Sequence, residues 1–258
     1  MSGASTLLWR SFAALLAVFM LAPLLALIVF SFTDRSILAF PIEGLSLAWY
    51  EKLLSAPQFW AAFRNSVIVT GTVGVVSTVI GTMAASALAR LRPRLSAAAM
   101  ILLTLPVMLP PLVLGIALVS YYRSFGAELG LHTVIISHLV FTQPFVILIV
   151  QARLASFDYQ VVNSARDLGA SPFQAFLTVT LPIIRPTIIG AALIAMALSL
   201  DDFIITVFTL GGGNTLPTFM WGLLRKGVNP QINVVGLVLM ALTLSVSLIA
   251  LRLTRYRG

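Results

Sequence analysis

A chain of 258 residues that is 59% hydrophobic and only 9% charged, with a mean hydropathy of +1.04, cannot clothe a soluble domain, which carries roughly 25% charged residues. Its net charge of +8 comes from Lys and Arg scattered singly along the sequence, not from a basic face interleaved with aromatics, so nucleic acid is not indicated as a partner. The absence of cysteine excludes disulfides and thiolate metal sites, and two histidines, His132 and His138, are poor stock for a metal centre or a Ser/His/Asp apparatus.

Crossing the hydrocarbon core takes about 20 apolar residues, and the backbone there must bond to itself, which makes such runs helical and lipid their outer partner. The first run is Ser11 to Thr33. It is longer than the h-region of a signal peptide and no small-x-small site follows it, so it is expected to stay as an anchor. The outer segment from Asp34 to Arg64 carries Trp49, Tyr50 and Trp60, which predicts an amphipathic helix lying in the interface. A second uncharged run extends from Asn65 to Ala89, and a third from Leu95 to Tyr122. In the third, Pro106, Pro110 and Pro111 remove backbone donors and predict a kinked helix. Carbonyls freed in this way at membrane depth are tolerated where they line a cavity, so Pro110 and Pro111 are candidates for the substrate path; a purely structural kink is the alternative.

The fourth run is Leu129 to Ala152; its His138 is read as a hydrogen-bonded helix–helix contact rather than a path residue. The segment from about 153 to 186 follows, as a short helix, a break at Gly169 and a second helix begun by Ser171 as N-cap and Pro172 in the first turn. Pro182 and Pro186 are expected to stop that helix before the fifth run, Thr187 to Leu210. A helix–Gly–helix elbow can be a docking knob for a partner or an ordinary connection between spans. The fifth run is interrupted by Asp201 and Asp202, the only carboxylates within any apolar run. A charge at the bilayer centre costs on the order of 3 kcal/mol, so these two need a watery path or a partner. They read as a cation-attracting patch on the substrate path; the alternatives are that one acid caps a broken helix or pairs with an arginine of a neighbouring subunit. Gly211-Gly212-Gly213-Asn214 has no preceding strand and no following Lys-Ser/Thr, so it is a turn and not a phosphate loop. The sixth run is Gly227 to Leu251, with its apolar core from Val234.

With both termini inside, the cytoplasmic side takes Arg10, Arg90, Arg92, Arg94, Arg153, Arg166, Arg185, Arg252, Arg255 and Arg257, ten of the sixteen basic residues. That excess sets the expected orientation. The expected fold class is therefore all-α: a single membrane domain over 1–258 with six spans.

The elbow also carries a family pattern. Ala165, Gly169, Leu181 and Pro182 match the E-A-A-x3-G-x9-I-x-L-P loop of binding-protein-dependent ABC importer permeases, with Val179 standing for the isoleucine, Asn163 for the glutamate and Ser164 for the first alanine. The strings Gly44-Leu45-Ser46-Leu47-Ala48-Trp49-Tyr50, Leu198-Ser199-Leu200-Asp201-Asp202-Phe203-Ile204-Ile205-Thr206 and Gly227-Val228-Asn229-Pro230-Gln231-Ile232-Asn233 resemble the spermidine/putrescine subfamily, nearest its second permease. An acid frequent in that subfamily after the third-span proline is absent from Pro110-Pro111-Leu112, and importers of opines, aminophosphonates or amino-acid derivatives share the other strings.

The resemblance implies a type I importer permease fold in a bacterial inner membrane, working by alternating access. It implies that Asn163, Ala165, Asp167, Gly169, Leu181 and Pro182 belong to the loop received by an ATPase subunit. The implied partners are two ATP-binding subunits, a second permease in a heterodimer, and a periplasmic or lipid-anchored substrate-binding protein. No enzyme activity and no cofactor are expected of this chain, ATP belonging to the partners. An ion-coupled secondary transporter would show discontinuous spans in both halves and paired membrane acids, and an intramembrane protease would need a Ser/His or Asp/Asp pair on separate spans; neither pattern is present.

Overall fold

Apolar runs that must satisfy their own backbone become helices, and helix is what the computed structural model of the chain contains. It describes residues 3–36, 39, 41–42 and 44–255; Arg257 lies outside them. Among the described residues there are twelve α-helices and, in place of strands, one isolated bridge between Thr33 and Leu45. Five helices are long and apolar enough to cross a membrane, and one bent pair makes a sixth candidate span.

The chain divides into two compact units, Met1–Trp60 with Phe219–Ala241 and Ala61–Thr218 with Leu242–Gly258. In the first, α1 (Gly3–Ser31) exposes apolar side chains such as Trp9, Leu16 and Phe19, as a lipid-facing helix does. The chain then turns: Ser46 N–H donates to the Phe32 carbonyl at 2.7 Å, and Asp34 N–H to that of Gly44 at 3.3 Å. The expected interfacial helix is only α2 (Ala48–Leu54), seven residues long. Its aromatics fasten it to the end of α1: Trp49 Nε1 donates to the Thr33 carbonyl at 2.9 Å, and Tyr50 shares a hydroxyl hydrogen bond with Ser31 at 2.7 Å. Trp60 belongs to α3 (Pro57–Leu88). That helix begins two turns ahead of the expected Asn65 because Pro57 suits a first helical position.

The third run is not one kinked helix. α4 (Pro93–Met108) and α5 (Pro111–Ser124) meet at 99°. A proline drives the residue before it out of the helical region, and two in succession act on two residues. Leu109 and Pro110 are accordingly extended, with ψ 139° and 135°. Pro111 then opens α5, where its missing N–H costs nothing.

α6 (Leu131–Ala155) is the hub of the second unit, packing on α4, α9 and α10. Val146, Ile147, Val150 and Leu154 on it share a core with Ala85 and Leu88 of α3 and Ile184, Ala191 and Ala195 of α9. After α7 (Gln160–Asp167), helix resumes at α8 (Pro172–Ala175), passes through a π-helical turn at Phe176–Thr180, and continues as α9 (Leu181–Asp201). Pro182 and Pro186 therefore do not stop the helix, contrary to expectation, and the fifth span starts near Pro172 rather than Thr187. A wider i→i+5 turn just ahead of Pro182 accommodates the ring that would press on the carbonyl one turn back.

α10 (Ile204–Thr209) packs on α5 and α6. The approach to α5 is close: a methyl at Gly115 would sit 3.0 Å from Phe208 Cδ2. The glycine turn follows, with Gly211 at φ +73° pressed so tightly on Leu129 that a Cβ would lie 2.9 Å from its carbonyl oxygen. Two more helices complete the chain, α11 (Leu216–Lys226), which sequence periodicity did not announce, and α12 (Gln231–Arg255).

Candidate functional site

Two places concentrate polar chemistry, the elbow between α6 and α9 and the break between α9 and α10. At the elbow, α7 ends at Asp167 and Leu168 closes it. Gly169 turns the chain at φ +92°, a value side chains resist. Ala170 N–H donates to the Ala165 carbonyl at 3.1 Å across that turn. Ser171 caps the next helix with a reciprocal box, its Oγ accepting from Gln174 N–H at 3.2 Å while Gln174 Oε1 accepts from Ser171 N–H at 2.9 Å. Such paired caps satisfy two backbone N–H groups that a helix start leaves free.

Asn163, Asp167 and Gly169 are exposed, and Ala165 is half-buried. Asn163, Asp167, Gly169 and Pro172 line a shallow hollow of about 440 Å³ on the elbow. Behind it a cavity of about 280 Å³ is lined by Arg90, Leu154, Asn163, Arg166 and Phe176. Leu181 and Pro182 stand apart from both hollows, at the first turn of α9.

At the break, the two acids part company. Asp201 is the last residue of α9 and is exposed. Asp202 takes an extended backbone, with ψ 122°, and its carboxylate turns inward at 11% exposure. Oδ2 accepts from Thr206 N–H at 2.9 Å and from Thr206 Oγ1 at 3.0 Å, satisfying one of the N–H groups left free in the first turn of α10. The same oxygen lies 3.3 Å from His138 Nε2. His138, 1% exposed on α6, also reaches Thr206 Oγ1 from Nε2 at 2.9 Å and Ser199 Oγ from Nδ1 at 2.8 Å. Nε2 thus faces the Thr206 hydroxyl and the Asp202 carboxylate together.

A second relay joins α5, α6 and α10: Tyr122 and Ser137 share a hydroxyl hydrogen bond at 2.9 Å, and Thr133 Oγ1 donates to the Thr209 carbonyl at 2.7 Å. Pro110 and Pro111 are exposed at the bend that opens α5. The packing of α5 on α10 therefore places the broken third and fifth runs on neighbouring elements. Sequence reading anticipated a helix–helix role for His138 but not its partners Ser199 and Thr206; their one signal was that both fall within seven residues either side of the adjacent acids.

The family model described as "Binding-protein-dependent transport system inner membrane component" matches residues 77–256. The putrescine transport system permease protein PotI of Escherichia coli (strain K12) is 32% identical over 241 residues, 90% of this chain and 85% of that protein. The spermidine/putrescine transport system permease protein PotC of the same strain is 30% identical over 239 residues, 92% of this chain and 90% of that one. Among solved structures, a bacterial alginate ABC transporter in complex with an alginate pentasaccharide-bound periplasmic protein contains a chain that superposes with a TM-score of 0.74 at 17% identity, covering 96% of this chain and 94% of that chain. At that identity the likeness speaks for the fold.

Proposed function

This chain belongs to the family of binding-protein-dependent transport system inner membrane components, a multi-pass permease and not a catalytic subunit, and we propose that its cargo is a small organic cation of the polyamine class. The observation that carries this reading is the division at the break. Asp202 is held by Thr206 and His138, while Asp201 is left exposed beside it. A fixed carboxylate replaces hydration that an ammonium group loses on entering the membrane. At about 4 Å and an effective dielectric of 20 that attraction is worth about 4 kcal/mol. The putrescine and spermidine systems to which the relatives belong agree with a cationic cargo.

In this reading, Asn163, Ala165, Asp167, Gly169, Leu181 and Pro182 form the surface and footing of the elbow received by one of two ATP-binding subunits. ATP closing those subunits moves the elbow, and the continuous helix from Pro172 to Asp201 carries the displacement to the break. Pro110 and Pro111 line the route at the third-span bend. A second permease completes the pathway, and a periplasmic or lipid-anchored binding protein delivers the cargo; both chain termini face the cytoplasm.

Uptake of radiolabelled putrescine and spermidine by cells expressing the whole transporter tests the cargo. Asp201→Asn should lower uptake at least tenfold with an unchanged amount of protein in the membrane, whereas Asp202→Asn should act chiefly by loosening α10. Wild-type uptake in Asp201→Asn would remove the carboxylate from the path. Uptake of a neutral or anionic amino-acid derivative in place of both amines would replace the polyamine reading with the alternative cargo class and leave the permease assignment standing.

A further inference from the structure

His138 stands on α6 but its ring spans a discontinuity in another helix. Nδ1 engages Ser199, two residues before the end of α9, and Nε2 engages Thr206 and Asp202, on α10 and at the break itself. The backbone does little to join those segments. Asp202 is extended, and the N–H of Thr206 is satisfied by the Asp202 carboxylate instead of a carbonyl one turn back. Phe203, at φ −105° and ψ −45°, precedes a helix of only six residues. The two halves of an interrupted helix keep their angle through what lies outside them, here packing on α5 and α6 together with a polar tie. The imidazole supplies that tie from a site with 1% exposure, where each hydrogen bond lost leaves a buried polar group behind.

We propose that His138 is a positioning residue for the Asp201 carboxylate: by tying Ser199 to Thr206 across the break, it fixes the direction in which the last residue of α9 projects. The inference rests on the reading of Asp201 as the group that meets the cargo, yet the tie itself can be measured without any cargo. Of the charged residues on α6, α9 and α10, Arg153 lies fifteen positions from His138 and Arg185 fourteen from Ser199, and only Asp201 and Asp202 stand beside the residues the ring engages. Asp202 is already engaged, so Asp201 is the carboxylate whose placement the tie leaves to be set.

The chain has no native cysteine, so Asp201→Cys provides an attachment point unique on this chain for a nitroxide label, read in the transporter assembled from cysteine-free partner subunits. The label should give a single restricted spectrum with His138 present and a mobile component when His138→Ala is added. His138→Gln, whose carboxamide offers one donor and one acceptor to the two hydroxyls, should remove that component again. An unchanged spectrum with His138→Ala overturns the inference, whatever the cargo is.

The functional arm is the concentration dependence of putrescine uptake. His138→Ala should raise KM about tenfold, with most of the effect reversed in His138→Gln, and should add nothing to Asp201→Asn, since the tie acts through that carboxylate. Losses that multiply in the double variant, or a His138→Gln no better than alanine, would make the histidine a packing residue and overturn the proposal. If His138→Ala lowers expression, Ser199→Ala and Thr206→Val each release one side of the ring, and both must reproduce the mobile component. Normal uptake by Asp201→Asn with a mobile label in His138→Ala would sink the cargo reading while keeping the tie.

Discussion

Gly169 is the residue on which the elbow turns, and the reason is confined to its own backbone. Nothing lies within 4 Å of where its Cβ would be, so a side chain there is opposed by the φ of +92° and not by crowding. The left-handed region costs an L-residue roughly 1–2 kcal/mol, enough to shift the elbow to another turn while the buried spans stay in place. Gly169→Asp, and more strongly the β-branched Gly169→Val, should therefore reach the membrane at normal levels but fail to retain the ATPase subunit. Co-purification from detergent reads this directly, and a full complement of ATPase on Gly169→Val would take the turn out of the coupling surface. Ser171→Ala belongs to the same scale: loss of one cap costs about 1 kcal/mol, loosening the start of the helix without abolishing it.

Adjacent prolines break the third run, whereas prolines that stand apart are carried within continuous helix. Pro182 and Pro186 are carried inside the Pro172–Asp201 helix, helped by the π turn at Phe176–Thr180. Pro110 and Pro111, adjacent, force two extended residues and a 99° bend. Pro110→Ala with Pro111→Ala should therefore restore continuous helix from α4 to α5. Labels at Ile101→Cys and Leu118→Cys would then move out to about 25 Å, the rise of seventeen residues at 1.5 Å each, and a shorter separation maintained in the double variant would place the cause of the bend elsewhere. A straightened third span also withdraws α5 from α10, whose contact at Gly115 and Phe208 leaves no slack, so uptake should fall with it.

At the scale of the whole chain, each span fixes the side of the next. Reporter fusions after Arg94 and Arg166 should face the cytoplasm, and fusions after Glu51, Glu128 and Lys226 the opposite side. The bent α4–α5 pair is the sensitive element. If it entered and left by one face, Arg94 and Glu128 would report the same side. Opposite sides identify the pair as a full crossing.

What was legible in the amino-acid order follows from forces acting over a few residues. Apolar length demanded helices in a membrane; the φ of glycine placed the turn at Gly169; Ser171 and Pro172 announced a helix start; adjacent prolines announced a disturbance in the third run. The pattern around Gly169 also named the family, because its spacing is kept by a local helix–turn–helix. Tertiary structure decided the rest. His138 meets residues 61 and 68 positions away, a pairing set by the rotation of α6 against α9 and α10, which no sequence period specifies. The extended backbone at the break turned Asp202 inward and left Asp201 exposed, although the two are chemically identical neighbours. Whether a proline ends a helix likewise depended on a π turn upstream and on packing against α6, since a span can lose one hydrogen bond and keep its fold wherever its neighbours hold it in place.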